Sequence, residues 1–534
     1  MERLANRIML TAGWPRAGLS FAAGAVAVLG QAPFHLFIAC FISFPVLVWL
    51  IDGAVARPSP SRIAMVRPAF FTGWLFGFGY FTAGLWWIGN ALFVEAEEFL
   101  WMWPMAVLGL PAVLAVFYGA AAALARALWS DGLGRIAALA FAFGLAEWSR
   151  SFILTGFPWN AIGYAAMPVP VLMQPAAVIG VFGMNALAVY VFALPAMFAA
   201  RGRKMVLSAV LLTVLISAQF GFGFWRIAQE SESSDTTLRV RVVQPAVDQS
   251  GKWDPEKSNE IFEGLLALTS ETGESDAPPD IVVWPETSVP FILTQRPDAV
   301  AALAQTLQDG QILLAGAVRL SETETRGGRP AYFNSLLAVS ADGVIFDAGD
   351  KKHLVPFGEY LPFGEWLSGF GIKAVAAADR GYSATPRRRT LTLPNGAVAL
   401  PLICYEAIFP HELSADGDAP SMIVNVTNDA WYGDTPGPYQ HAHQARIRAV
   451  ENGLPLVRAA NNGVSALYDP LGRQRDALGY GAKGAFDAAL PAPVAETVYR
   501  RHRELPFMGL LAGLFALALA GRFGRTARSR RGAG

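Results

Sequence analysis

The chain is poor in cysteine, in charge and in histidine, and each shortage excludes a class of protein. Two cysteines, Cys40 and Cys404, cannot build the disulfide framework of a small secreted protein. Charged residues make up 16% of the chain and the net charge is zero, so there is no basic face for a nucleic acid. His353, His441 and His443 have no metal-type spacing with carboxylates, and we therefore expect neither a metal nor another cofactor.

Long apolar runs are what the chain has instead. Apolar residues make up 53% of the sequence, with 15 tryptophans and 35 phenylalanines. Because a helix needs about 20 mostly apolar residues to cross a bilayer, we predict a multi-pass α-helical membrane bundle of about eight spans. The predicted spans are 17–31, 34–51, 69–93, 101–125, 135–156, 172–199, 205–225 and 506–521. Core helices of a soluble protein are the alternative, which seven such runs in series disfavour.

Positive charge marks one side of the predicted spans. Arginine and lysine cluster before the first span, in alternate loops and after the last span. Such clusters stay in the cytoplasm, so we expect both termini to be cytoplasmic and the soluble domain to face outward. In a bacterium with two membranes this would be an inner-membrane protein with a periplasmic domain. The expected domains are a transmembrane region over 1–228, a soluble domain over 237–500, a last span over 506–521 and a basic cytoplasmic tail over 522–534.

From residue 238 the pattern changes to short strands interleaved with helices, which is typical of an α/β layered sandwich. A helix is predicted over 440–451. Strands are predicted over 238–244, 281–284, 312–318, 334–340, 344–347, 398–403, 422–426, 456–460 and 464–468.

Three polar residues follow the ends of apolar strands, where sites gather in α/β folds: Glu286, Lys351 and Cys404. A thiol nucleophile needs a base to take its proton and donors to hold the oxyanion. Glu286 could be that base, and Lys351 with the Tyr405 amide could be the donors. A helix starting at Cys404 and a nearby lysine would lower the pKa of the thiol. Each residue also has an ordinary explanation, as packing or surface charge, and these residues alone do not separate Lys351 from Lys352.

The three segments, in this order, resemble the carbon–nitrogen hydrolase (nitrilase) superfamily, whose members carry a Glu–Lys–Cys triad on an αββα sandwich. With spans before and after the domain, the whole chain resembles the membrane-bound N-acyltransferases of bacterial apolipoproteins within that superfamily. The resemblance implies that Glu286 is the base, that Cys404 is the nucleophile and that Lys351, two residues before His353, is the oxyanion-side lysine. Further agreeing segments are 244–254, 332–335, 425–433, 446–453 and 461–463.

The resemblance also implies supporting residues and partners. Glu359, Tyr405 and Glu406 match residues beside the triad, and Trp253 matches a tryptophan near the mouth of the site. The implied reaction takes an acyl chain from a phospholipid to form a thioester, then passes it to the N-terminal amine of a diacylated apolipoprotein. The bilayer is a further implied partner, and we expect a monomer. Two rivals stay open: a membrane-tethered amidase or nitrilase, and a non-catalytic lipid-binding protein that keeps a dead hydrolase domain.

Overall fold

The computed structural model describes residues 1–56, 61–94, 96–230, 235–271, 277–326, 329–362 and 381–531, with backbone alone for 322–326, 329 and 524–531. The last three residues of the predicted tail lie outside this range. The chain forms two units. A helical unit contains Met1–Gly89, Met102–Gln229 and Glu496–Gly534, and a second unit contains Asn90–Trp101 and Glu230–Ala495.

The helices and strands follow in chain order. The helices are α1 (Glu2–Leu10), α2 (Gly13–Ala27), α3 (Cys40–Asp52), α4 (Arg62–Leu85), α5 (Ala96–Phe99), α6 (Leu110–Ala127), α7 (Leu133–Arg150), α8 (Pro170–Met173), α9 (Ala176–Ala193), α10 (Arg203–Glu230), α11 (Ser258–Ser270), α12 (Pro297–Thr306), α13 (Pro436–Asn452), α14 (Val498–His502) and α15 (Leu505–Arg531). The strands are β1 (Asp235–Gln244), β2 (Ile281–Trp284), β3 (Ile312–Arg326), β4 (Arg329–Ser340), β5 (Ile345–Asp350), β6 (Leu391–Thr392), β7 (Val398–Ile403), β8 (Met422–Thr427), β9 (Leu456–Ala460), β10 (Ser465–Tyr468), β11 (Gln474–Leu478) and β12 (Gly484–Pro491).

Apolar helices dominate the first unit. Among the described residues, four helical stretches are long and apolar enough to cross a membrane: Ala96–Ala127, Ala176–Ala199, Arg203–Glu230 and Leu505–Phe523. The other predicted spans are also largely helical and correspond to α2, α3, α4 and α7. The helical region is therefore observed, and the count of eight spans remains an interpretation.

Glycines let the helices of this unit approach closely. A Cβ added at Gly24 on α2 would strike the backbone of Phe76 on α4, and one at Gly79 would strike Phe21 in return. Small residues at helix contacts are typical of membrane bundles, where close van der Waals packing replaces the hydrophobic effect.

The second unit is a sandwich of two six-stranded sheets. One sheet has the order β12-β1-β2-β3-β4-β5 and the other β11-β10-β9-β8-β7-β6. Strands β1, β2 and β3 run parallel to one another, as do β7, β8 and β9. The carboxyl ends of each set therefore lie at the same end of its sheet. The sheets meet where Ser465 donates a hydrogen bond of 2.5 Å to Gln244 and where Gly349 packs against Pro401.

Helices cover the outer faces of both sheets. Phe262 and Leu265 of α11 and Leu303 of α12 are buried in one core with Trp284 and Leu313 of the first sheet. The second core lies between α13 and the other sheet, and contains Ala445, Ala449, Leu402, Ile423 and Leu456. The layers are thus helix, sheet, sheet and helix. The ends of β2 and β5 in the first sheet and of β7 in the second lie between the two helical layers.

Candidate active site

Each of the three predicted residues follows a strand. Glu286 comes two residues after β2, Lys351 directly follows β5 and Cys404 directly follows β7. The backbone N–H of Lys351 donates to the carbonyl of Asn334 at 2.8 Å, which extends the β4–β5 pairing by one residue. Gly316 on β3 has no Cβ to strike the backbone of the Pro285–Glu286 turn. The glycine therefore lets the glutamate backbone lie against the neighbouring strand.

Lys351 joins two buried carboxylates. Its Nζ lies 2.9 Å from Glu359 Oε1 and 3.4 Å from Glu286 Oε1, and the lysine side chain is fully buried. The Asn334 amide donates to both of these oxygens, at 2.8 Å to Glu286 and at 2.9 Å to Glu359. The second oxygen of Glu359 accepts the backbone N–H of Val355 at 2.8 Å. These bonds fix the carboxylates in place, and a single lysine bridges them.

The structure separates the two adjacent lysines. Burial alone would lower the pKa of Lys351, but the charges of Glu359 and Glu286 outweigh it and raise the pKa well above its ordinary value. The side chain of Lys352 is 35% exposed, and its nearest carboxylate is Glu412 at 3.8 Å. Of these two lysines, Lys351 is the one in contact with the Glu286 carboxylate, and its raised pKa favours the charged form.

Cys404 lies at a strained turn. It has a φ of +53°, in the left-handed region that non-glycine residues seldom adopt, and it is 7% exposed. The predicted helix after it is a five-residue 3₁₀ turn, Cys404–Ile408, so there is no α-helix dipole to favour a thiolate. Burial and then the negative charge of Glu286 raise the pKa of the thiol well above its ordinary value, although Lys351 acts to lower it. The expectation of a lowered pKa is therefore wrong, because burial outweighs the lysine.

A series of buried polar side chains supports this turn through the carbonyl of Cys404. Nε2 of His441 lies 3.2 Å from the carbonyl oxygen of Cys404, and Nδ1 lies 2.8 Å from Asp429 Oδ1. Arg458 donates to the other oxygen of Asp429 at 2.7 Å. The Asn425 amide donates to the same Cys404 carbonyl at 3.4 Å. These contacts hold the carbonyl of Cys404 in place. His441, for which the sequence predicts no metal, is part of this chain of contacts.

Glu406 connects the cysteine turn to the lysine segment. One carboxylate oxygen accepts the backbone N–H groups of Lys352 and His353 at 2.9 Å and 3.0 Å. The other accepts the N–H of Ile403 at 2.7 Å, and Arg388 forms an ion pair with the carboxylate at 2.6 Å. Glu406 is 1% exposed. The two chain segments that carry Lys351 and Cys404 are therefore held together by one carboxylate.

The remaining predicted residues differ in their surroundings. The Tyr405 ring is buried and packs edge-on against Phe409, with ring centroids 4.9 Å apart. Trp253 is 47% exposed. The residue before it, Lys252, is buried and reaches the glutamate loop, where Nζ donates to the carbonyl of Glu286 at 3.2 Å. Sequence reasoning missed Lys252, because a lysine in a polar loop is ordinarily exposed, and its only signal was the agreement of segment 244–254.

Comparison with known proteins covers both units. The family model described as "Apolipoprotein N-acyltransferase N-terminal domain" matches residues 23–194, and that described as "Carbon-nitrogen hydrolase" matches 239–499. An apolipoprotein N-acyltransferase of Brucella suis is 54% identical over 497 residues, covering 92% of this chain and 93% of the relative. That of Allorhizobium ampelinum is 52% identical over 529 residues, covering 99% and 100%.

The chain belongs to the apolipoprotein N-acyltransferase family. It is an acyltransferase of the inner membrane with a carbon–nitrogen hydrolase domain. A solved carbon–nitrogen hydrolase from Helicobacter pylori is 16% identical, covers 47% of this chain and 88% of its own, and has a TM-score of 0.32, too low to support an argument. The buried cluster around Cys404 lies in the part of the chain that the carbon–nitrogen hydrolase family model matches.

Proposed function

We propose that this chain transfers a fatty acyl group from a phospholipid to the N-terminal amine of a diacylated apolipoprotein, through a thioester on Cys404. The observation that carries the proposal is the convergence of Glu286 and Lys351 on a buried cysteine in a member of this family. A thioester intermediate makes the reaction a ping-pong sequence of two acyl transfers. No metal or other cofactor enters either step.

The first transfer forms the thioester. The raised pKa of Cys404 means that the thiol is neutral at rest and loses its proton to Glu286 as it attacks. A bond forms between Sγ and the ester carbonyl carbon, and the bond from that carbon to the glycerol oxygen then breaks. The proton held by Glu286 passes to the departing oxygen, which leaves as the hydroxyl of a lysophospholipid.

Lys351 stabilises the negative charge that develops on the carbonyl oxygen. Its hydrogen bonds to Glu359 and Glu286 fix the direction of the ammonium, and a third N–H is directed at the oxyanion together with the backbone N–H of Tyr405. Both donors are held in place before the substrate arrives, because Glu406 ties the lysine segment to the cysteine turn. A preorganised site of this kind is effective because little reorganisation is needed in the transition state.

The second transfer releases the acyl group to nitrogen. The neutral α-amine of the diacylglyceryl-cysteine attacks the thioester carbonyl, a C–N bond forms and the C–S bond breaks. Glu286 accepts a proton from the amine and returns one to the sulfur, which regenerates the thiol. A thioester stays reactive towards amines. Transfer to the amine is therefore favoured over hydrolysis when water is kept out of the buried site.

The membrane arrangement follows from the charge pattern and the substrates. Both substrates are anchored in lipid, so we place the carbon–nitrogen hydrolase domain on the periplasmic face and both termini in the cytoplasm. The exposed tryptophans Trp86, Trp101 and Trp103 have the amphipathic rings that favour a membrane interface. The acting species is a monomer, with Trp253 near the mouth of the site.

Reconstitution tests the proposal. The purified chain in lipid nanodiscs receives a diacylglyceryl-cysteine peptide, and the expected products are one N-acylated peptide and one lysophospholipid per turnover. Cys404→Ala, which keeps the turn and removes the thiol, is the control and should give neither product. Free fatty acid in place of N-acylated peptide would instead identify a hydrolase, and the proposal would be wrong.

A further inference from the structure

A second buried lysine lies at the site and has no role in the reaction as written above. Lys252 is 1% exposed, and its Nζ donates to the Thr287 hydroxyl at 2.9 Å and to the Glu286 carbonyl at 3.2 Å. Both acceptors are neutral. A buried ammonium that hydrogen-bonds only to neutral groups costs free energy, so its presence beside the base calls for an explanation.

The loop that carries Lys252 is pinned to the same sheet as the cysteine. The Asn461 side chain accepts the N–H of Val247 at 3.1 Å and donates to its carbonyl at 2.9 Å. The Asn428 amide donates to Gln249 at 2.6 Å. Asn428 directly follows β8, which pairs with β7, and Asn461 directly follows β9, which pairs with β8 in the same sheet. The position of Lys252 is therefore set by the sheet that also presents Cys404.

The turn that Lys252 holds is a strained one. Thr287 has a φ of +42°, which is unfavourable for a β-branched residue, and it is 8% exposed. The hydrogen bond from Lys252 to the Thr287 hydroxyl, with the bond to the preceding carbonyl, fixes this conformation. Because Glu286 is the residue before Thr287, fixing the turn also fixes the direction of the Glu286 carboxylate.

Charge gives Lys252 a second effect. Among the described residues, the carboxylates of Glu286 and Glu359 pair with one ammonium, that of Lys351, so these three side chains together carry one excess negative charge. A charged Lys252 balances it. Burial lowers the pKa of Lys252 to about 8, although Glu286 and Cys404, the ionisable groups that act on it, oppose the change. At pH 7 roughly nine tenths of the molecules would keep the charge.

We propose that Lys252 is a positioning residue for acyl transfer: it fixes the Glu286–Thr287 turn and supplies the second positive charge that favours ionisation of Cys404. This inference rests on the proposed function, in which Glu286 acts as the base for acyl transfer. Its physical content concerns the reactivity of the thiol, which can be measured without any lipid.

The experiment compares the alkylation rate of Cys404 in the full chain in detergent between about pH 6 and about pH 10, a window that brackets the titration of a perturbed lysine. Iodoacetamide is the probe, and mass spectrometry follows the Cys404 peptide, with the peptide of buried Cys40 as internal standard. The variants are Lys252→Met, which removes the charge, and Lys252→Arg, which makes it permanent. Lys257→Met is the matched control, because this exposed lysine lies in the same loop.

The expected result is a rate ratio that changes with pH. Wild type should react about tenfold faster than Lys252→Met at neutral pH, and this ratio should fall above about pH 9 as Lys252 loses its charge, leaving only the part due to the lost hydrogen bonds. Lys252→Arg should match wild type within about threefold at neutral pH and exceed it at alkaline pH. Lys257→Met should follow wild type throughout.

A ratio of one at every pH, or a ratio that stays constant, would overturn the inference, because a purely structural role does not titrate. If Lys252→Met does not fold, a Lys252→Arg profile identical to that of wild type has the same consequence. Because no lipid is present, these outcomes are independent of acyl transfer. A titrating ratio in a protein that forms no acyl-enzyme would leave the role of Lys252 standing and contradict the proposed function.

Discussion

Replacing Glu406 by glutamine should both destabilise the catalytic unit and slow its chemistry. The carboxylate accepts three backbone N–H groups, those of Ile403, Lys352 and His353, and pairs with the buried Arg388. Glutamine has the same shape but one acceptor oxygen and one NH₂ group. Whichever way the amide is oriented, its NH₂ faces N–H donors on one side, and Arg388 loses the nearer of its two charged partners.

The size of the loss follows from these contacts. Removing one partner of a buried ion pair costs about 3 to 5 kcal/mol, and we expect the lower end here, because Arg388 keeps a second carboxylate, Glu412, at 3.9 Å. For a unit of this size about 3 °C of melting temperature corresponds to 1 kcal/mol, so Glu406→Gln should lower the Tm by roughly 10 °C. Loosening the Lys351 segment against the cysteine turn should also slow acyl-enzyme formation by about a hundredfold.

Thermal unfolding in detergent and the single-turnover rate of Cys404 acylation measure the two effects. Glu412→Gln is a matched control in the same turn region, because Glu412 lies 3.9 Å from Arg388 and is 11% exposed. Glu412→Gln should lower the Tm and the rate of Cys404 acylation less than Glu406→Gln does. A Glu406→Gln variant that unfolds and acylates as wild type does would refute the argument that this carboxylate holds the two segments together.

Three further variants test other parts of the site. Cys404→Ala should remain folded with a wild-type Tm and transfer no acyl group, as measured by peptide acylation, and any residual transfer would contradict a thioester route. Glu286→Gln should slow acyl-enzyme formation by about 10² to 10⁴, since the base is gone, and an unchanged rate would remove its role. Gly463→Ala places a Cβ 2.7 Å from Asp429 Oδ2, so it should displace that carboxylate from beneath the cysteine turn and lower both Tm and acylation rate, whereas Gly479→Ala, with open space around the added Cβ, should not.

Much of the sandwich could be predicted from the sequence, because its central strands are short apolar runs. The bounds of β2, β7 and β9 agree with the predicted ranges. All three strands are fully buried, and β2 and β7 are rich in valine, leucine and isoleucine. Strand β12 was missed. It is rich in alanine and half-buried, and it forms by pairing with β1, for example Phe486 with Val242, so its stability comes from a contact distant in sequence.

The site could be predicted only in part, because burial is invisible in a sequence. Glu286, Lys351 and Cys404 could be predicted because they follow the ends of apolar strands, where sites gather in α/β folds, and because their segments resemble a known superfamily. The direction of the thiol pKa was wrong, since the sequence shows the nearby lysine but not the depth of burial. Lys252 was missed for the same reason, because only the fold turns its side chain inwards towards Glu286.

The thioester on Cys404 is the central claim, and the most direct test is mass spectrometry of the purified chain after incubation with phospholipid alone. The account predicts a fatty-acyl mass on the peptide that contains Cys404, absent from the Cys40 peptide and from Cys404→Ala. A diacylglyceryl-cysteine peptide added afterwards should discharge this mass and become N-acylated. N-acylation of the peptide without any adduct on Cys404 at any time point would contradict the account.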